Sequence, residues 1–189
     1  MQIAAARTGQ LINYNDMAGD IGVSEVTVKS WLHALETSGI VYQLQPYFNN
    51  RTKRLVKTPK LYCMDTGLCA FLTGWLNADV LERGAMSGVM LETYVISEII
   101  KSYLHNSRRP PLYFYRDKEK REVDLLIEQN GTLHPVEVKK TSLIQKSNFK
   151  GFAFLENLNM PIGHGCVLCF VNSLIPLSSE IDAVPIGYL

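Results

Sequence analysis

The sequence predicts a mixed α+β chain in two parts, a helical module closed by a hairpin over residues 1–76 and an αβββαβ unit over 77–189. Three observations carry this. Gly22, Ser24 and Gly39 punctuate two short helical patterns as a turn, an N-cap and a C′ residue would. Residues Gly88–His105 carry an apolar stripe of helical period. Residues Arg121–Lys140, REVDLLIEQNGTLHPVEVKK, alternate like two strands around Asn130-Gly131, the strongest short signal for a type I′ hairpin.

The 189 residues suffice for one domain with a real core or for two small ones. Formal net charge is +1, so the whole molecule is not a nucleic-acid magnet. Residues 1–60 and 101–150 hold the Lys/Arg excess, which permits a basic face. No apolar run approaches the ~20 residues that span a bilayer, and MQIAAARTGQ lacks the pattern of a secretory signal. A cytoplasmic protein without a membrane partner is expected. Cys63, Cys69, Cys166 and Cys169 lie in apolar segments, which suits buried free thiols in a reducing compartment.

In order, Asn13–Asp20 reads as a short helix with Met17 and Ala18 inward. Ser24 then caps a helix in which Val28, Trp31, Leu32 and Leu35 recur at core spacing. Glu25, Thr27, Lys29, Ser30, His33 and Glu36 remain outward. A strand Ile40–Leu44 follows, and a loop through Pro46 and Asn49-Asn50 returns via Arg54–Val56. This is the order of a winged helix-turn-helix. Thr27 and Lys29 on its second helix and Arg51, Lys53 and Arg54 on its basic wing are the candidate nucleic-acid contacts, since basic wings grip phosphate backbones. The same architecture also serves protein interaction, and Glu25 and Glu36 are poor groups to push into a groove. Both readings stand.

Leu61–Met64 is a short strand, Asp65-Thr66-Gly67 opens a helix that Gly74 ends, and Asn77–Ser87 reads as a connecting loop. In Gly88–His105, Val89, Val95, Ile96, Ile99, Ile100 and Tyr103 share one stripe, with Ser97, Glu98 and Lys101 opposite. Glu92 falls mid-stripe, and a carboxylate there needs a partner or a reason. It is either a third acidic group for the hairpin site or one side of a buried ion pair, with Lys139 or Arg121 as the cation.

Leu112–Arg116 is an aromatic strand and Asp117–Lys120 a charged turn. Counting outward from Asn130-Gly131 pairs Gln129 with Thr132, Leu125 with Val136, Asp124 with Glu137 and Glu122 with Lys139. Val123, Leu125, Ile127, Val136 and Val138 then form an apolar face, while Asp124, Glu137 and Lys139 share the other. Facing carboxylates repel, and a divalent cation removes that objection because hard cations prefer carboxylate oxygens. A simple Glu122–Lys139 salt bridge is the rival account of the lysine. Thr141–Asn157 reads as a helix, with Gln145, Lys146 and Lys150 on its polar side. Gly165–Val171 is a buried strand before an irregular tail.

Other chemistries are poorly supported. Cys166-Val-Leu-Cys169 lacks the second ligand pair of a zinc knuckle. The four histidines show no metal-ligand spacing, and neither GxSxG nor a Walker A motif is present.

An acidic residue on one strand and Glu-x-Lys on the next, after a helix bearing a glutamate, resembles the PD-(D/E)xK nuclease superfamily, and the αβββαβ order agrees. The resemblance implies a restriction-endonuclease-like fold with Glu92, Asp124, Glu137 and Lys139 catalytic, and Mg²⁺ held by Asp124, Glu137 and the Val138 carbonyl. It implies a lysine beside the attacking water and metal-assisted hydrolysis of DNA. The motifs ARTGQLINYNDMAGDIGVSEVTVKSWLHALETSGIVYQLQPYFNN, KRLVKTPKLYCMDTGL, LETYVISEI, YFYRDKEKREVDLLIE and PVEVKK resemble, in order, the uncharacterised C-terminal domain of bacterial and archaeal AAA-type ATPases. DNA and the ATPase core of the same parent protein are the partners this implies, and the 189 residues are expected to be a piece of that longer chain. A catalytically silent DNA- or protein-binding regulatory domain is the alternative.

Overall fold

A computed structural model describes residues 1–48 and 56–189. The wing contacts Arg51, Lys53 and Arg54 lie outside the described residues, and Val56, the described end of the predicted return strand Arg54–Val56, is not in a strand. The chain is a mixed α/β protein with two sheets, and it divides into two compact units, residues 1–44 with 58–97 and residues 45–57 with 98–189.

In the first unit, helices α1 (Gln2–Ala6), α2 (Tyr14–Ile21) and α3 (Glu25–Thr37) surround a sheet of β1 (Gln10–Leu11), β2 (Val41–Leu44) and β3 (Lys60–Cys63) in the order β1-β3-β2, all antiparallel. Ser24 is the N-cap the sequence announced, while Asn13, read as the first helical residue, is itself a cap. The Asn13 side chain accepts the Asp16 amide, Ser24 accepts the Thr27 amide, and Gly22 takes φ 77° in the left-handed region that glycine tolerates. Met17, Ala18, Val28, Leu32, Val41 and Leu61 form the core. Trp31, expected in that core, is 50% exposed, because Val28 and Leu32, with Leu35 packed beside them, take the inward face of α3.

Helix α4 (Thr66–Leu72) is capped by Asp65, and α5 (Ala78–Arg83) by Asn77. The second of these helices replaces the expected loop. Asn77 accepts the amides of both Asp79 and Val80, a local signal that offsets the weak periodicity. The long helix α6 (Ser87–His105) follows the predicted span. Ser97, placed on its outer face from the sequence, is 1% exposed. Its hydroxyl donates to the Tyr94 carbonyl, which satisfies it locally and permits burial.

The second unit contains a six-stranded sheet, β4 (Leu112–Arg116), β5 (Glu122–Gln129), β6 (Thr132–Val138), β7 (Gly165–Cys169), β8 (Ile175–Pro176) and β9 (Ile181–Pro185), in the order β4-β5-β6-β7-β9-β8. The β6–β7 and β7–β9 pairs are parallel and the others antiparallel. Residues 45–48 pack here too, since Gln45 and Tyr47 exchange backbone hydrogen bonds with Phe114, and the Val56 amide donates to the Arg116 carbonyl. The tail, expected to be irregular, supplies β8 and β9.

Asn130 (φ 52°) and Gly131 (φ 75°) form the hairpin turn, and the β5–β6 register runs from Gln129 opposite Thr132 to Leu125 opposite Val136, as counted from the sequence. The expected apolar face does not hold. Two steps along β4, Tyr113 to Tyr115, match three along β5, Leu126 to Val123. That bulge breaks the strict alternation and brings Val123 into one core cluster with Leu126, Leu133, Phe152, Leu155 and Leu158. The predicted helix 141–157 is a 3-10 segment, Lys146–Leu158, with non-helical φ/ψ at Phe149.

Candidate functional site

At its open end the β5–β6 ladder passes from backbone to side chain. Asp124 lies in the bulged stretch of β5, and its Oδ2 accepts the Val138 amide at 2.9 Å. Bulges of this kind re-aim a side chain. Glu137 is 5% exposed, and Lys139 Nζ donates to its Oε2 at 2.8 Å while lying 3.7 Å from Asp124 Oδ2. Burial, and then the neighbouring Asp124 carboxylate, push the Glu137 carboxyl up to about 9, against a smaller opposite pull from Lys139. The cluster is short of positive charge.

These side chains open into a pocket of about 390 Å³ whose far wall is the 3-10 segment, through Asn148, Lys150, Gly151 and Phe154. Gly151 makes this approach possible. A Cβ there would stand 2.5 Å from the Glu122 carbonyl oxygen and 3.3 Å from Glu137 Oε1. Arg121 forms another wall. Asp117, 4% exposed, accepts the amides of Glu119 and Arg121 and takes the Arg121 guanidinium at 2.6 Å, while the same guanidinium sits 4.4 Å over Phe154. Burial alone would raise the Asp117 carboxyl, but Arg121 and the two amides hold it below its usual value. Sequence reading missed Arg121, Lys150 and Gly151. The Asp-x-x-x-Arg spacing at Asp117–Arg121 was the available signal for the first.

Asp124, Glu137, Val138 and Lys139 are therefore brought together, with Val138 meeting Asp124 through its N–H. Glu122 is engaged by Arg116 Nη1, and the lysine it was counted against goes to Glu137 instead. Glu92 lies in the first unit. Lys60 Nζ stands 3.2 Å from its carboxylate, and the Tyr62 hydroxyl donates to the same oxygen at 2.5 Å. The cation that pairs with it is Lys60, not one of the two expected from the sequence. Thr27 and Lys29 are engaged locally on α3, Thr27 with the Ser24 cap and Lys29 with Glu25 at 2.7 Å.

Among the described residues, no three His, Cys, Asp or Glu side chains come together as a metal cluster. Two carboxylates suit a cation such as Mg²⁺, which keeps several waters and takes only one or two protein carboxylates. They do not suit a closed zinc site. Burial and the Asp124 carboxylate raise the Glu137 proton affinity, and Lys139 opposes them. All four cysteines are free, and Cys166 is pushed up to about 11 by burial and then by Asp182, so it is no ready thiolate. No helix among the described residues is long and apolar enough to cross a membrane.

Fold and pocket together define a mixed α/β protein with a two-carboxylate–lysine cleft built on a bulged hairpin. The chain belongs to the family described as Domain of unknown function (DUF4143), whose profile matches residues 87–189, more than half of its length. Residues 1–79 match a second profile, Domain of unknown function (DUF8612). The chain is also similar to uncharacterized protein Rv2008c of Mycobacterium tuberculosis and uncharacterized protein Mb2031c of Mycobacterium bovis. Each is 30% identical over 177 residues, 94% of this chain but 38% of theirs. No solved structure matches.

Proposed function

We propose that the second unit is a restriction-endonuclease-like module that hydrolyses DNA phosphodiesters with Mg²⁺, and that the first is a winged helix-turn-helix that delivers DNA to it. The carrying observation is Lys139 lying against both Asp124 and Glu137 at the floor of an open pocket. Asp124, Glu137 and the Val138 carbonyl would hold the metal. A bound Mg²⁺ supplies Lewis-acid polarisation of a phosphoryl oxygen and a more acidic water.

The chain's own residues do the rest. Asp124 is oriented by the Val138 amide and lines the pocket beside Glu137. Glu137 must give up its proton before it serves as a ligand, because metal ligands bind deprotonated. Lys139 then turns from Glu137 toward the phosphate, where its ammonium steadies developing charge and orients the nucleophile. Local engagement of Thr27 and Lys29 in the first unit shifts the expected DNA contact onto Arg51, Lys53 and Arg54. Phosphate contact by a basic wing gives salt-dependent, sequence-tolerant binding.

The DUF4143 domain is commonly found in AAA-ATPase-associated proteins, and the relatives are far longer than this chain. The parent ATPase is therefore the proposed partner in cis. A second reading, a catalytically silent regulatory module, draws on one observation. With the Glu137 carboxyl pushed up to about 9, the pair carries little more than one negative charge near neutrality, which weakens cation binding.

Incubation of plasmid and single-stranded DNA with the chain in Mg²⁺ or Mn²⁺ separates the two readings. Hydrolysis lost in Asp124→Ala and in Lys139→Ala is the expected result. No hydrolysis in either metal, or hydrolysis that survives both substitutions, overturns the assignment. Neutralising Arg51, Lys53 and Arg54 should weaken DNA binding and flatten its salt dependence, and unchanged binding would remove the wing from the account.

A further inference from the structure

The 3-10 segment separates the acidic pocket from a second one, of about 370 Å³. That volume lies in the ~300–1,000 Å³ range of small-ligand pockets. The two share Lys150 as a common wall. On the sheet side the link is β6, since Glu137 lines the first and Pro135, two residues back on the same face, lines the second. Two residues of a strand advance about 6.6 Å, so the pockets are near neighbours along one strand.

Their chemistries differ. The first is floored by carboxylates and Lys139. The second is walled by Phe149, Phe152, Pro135 and Ile181, with Ser178 and Ser179 at its mouth. Phe149 is the residue at which the 3-10 segment leaves helical geometry, at φ −129° and ψ 19°, and its ring lies 6.3 Å from that of Phe152 at 44°. An aromatic wall with hydroxyls at the rim accepts a flat heterocycle by stacking and edge hydrogen bonds. Lys146 and Lys150 line it together with Glu156 and Glu180, and Lys150 also lines the acidic pocket, so the cation available to an anion attached to that heterocycle is the one where the two pockets meet.

We propose that the second pocket receives the base of the nucleotide whose phosphate is presented to Asp124, Glu137 and Lys139, with Lys150 gripping that phosphate from the shared wall. A base in such a pocket is out of its stack, so the substrate is an unpaired DNA strand. The inference rests on the nuclease reading for its phosphate position, but nucleotide binding tests it apart from cleavage.

Calorimetric titration of the full chain with thymidine 5′-monophosphate and with inorganic phosphate, both in Mg²⁺, decides it. The nucleotide is expected to bind at least tenfold more tightly than phosphate. Ala153→Trp and Ser179→Trp fill the pocket from exposed positions on opposite walls. Each should remove that advantage and leave phosphate binding unchanged, whereas Lys150→Ala should weaken both ligands. Equal affinity for nucleotide and phosphate, or wild-type nucleotide affinity in both tryptophan variants, overturns the proposal. In the cleavage assay an unpaired oligonucleotide should be cut at least tenfold faster than its duplex, and equal rates count against it. Absence of all cleavage alongside retained, pocket-dependent nucleotide binding would overturn the nuclease reading alone.

Discussion

Replacing Glu137 with glutamine tests the electrostatics of the pocket most sharply. In the folded chain the Glu137 carboxyl is raised to about 9, by burial first and by Asp124 second, from an ordinary value of 4.5. Between those two values the folded state holds a proton that the unfolded state has released, so stability is full below about 4.5 and falls as pH rises toward about 9. The slope has a ceiling of about 1.4 kcal/mol per pH unit for one proton. From pH 5 to pH 8 the native chain therefore loses at most about 4 kcal/mol in the absence of metal, and on the order of 10 °C in Tm for a chain of this size. The coupling to Asp124 and Lys139 spreads the change over the window. Thermal unfolding in chelator at pH 5, 6, 7 and 8 measures it. The native profile should decline, and Glu137→Gln, which has no proton to lose, should stay nearly level across the window. Parallel profiles for the two proteins would refute the reasoning. Mg²⁺ should stabilise the native chain more at pH 8 than at pH 6, because it binds the deprotonated pair.

Other substitutions follow from named contacts. Gly151→Ala places a Cβ 2.5 Å from the Glu122 carbonyl and should cost about 1–3 kcal/mol by overpacking, read as a lower denaturant midpoint together with weaker metal binding. Lys60→Ala leaves Glu92 without the cation that stands 3.2 Å away, and breaking a buried pair of this kind typically costs about 3–5 kcal/mol, measurable by urea unfolding. Gly131→Val forces a β-branched residue into φ 75° and should destabilise the hairpin by more than about 1 kcal/mol. Asp117→Asn should lower Tm at neutral pH. Its penalty should vanish as pH falls below the usual carboxylate range, because the folded Asp117 carboxyl is held low and its contribution is lost on protonation.

The hairpin was legible because turn chemistry and register are local. Asn130-Gly131 fixes the turn, and counting outward fixes Leu125 opposite Val136. The cap at Ser24 was legible for the same reason. What escaped depended on partners distant in sequence. The bulge that groups Val123 with Leu126 arises against β4, and nothing within β5 announces it. Glu92 was rightly expected to need a partner, but Lys60 is 32 residues away in sequence and stands one residue before the strand read as Leu61–Met64. The 3-10 segment has helix-like apolar spacing at Phe152 and Leu155, and only the close approach of Gly151 to the Glu122 carbonyl explains why it hugs the sheet. Of the pocket, the three chemical residues were readable and the walls were not, because Arg121, Lys150 and Phe154 are assembled by packing.

Titration of the chain with Mn²⁺, followed by electron paramagnetic resonance at pH 8, tests the central claim most directly. The account predicts one bound Mn²⁺ per chain, lost in Asp124→Asn and in Glu137→Gln and retained in Lys139→Ala. Absence of bound metal in the native chain, or binding that both carboxylate substitutions leave intact, would contradict it.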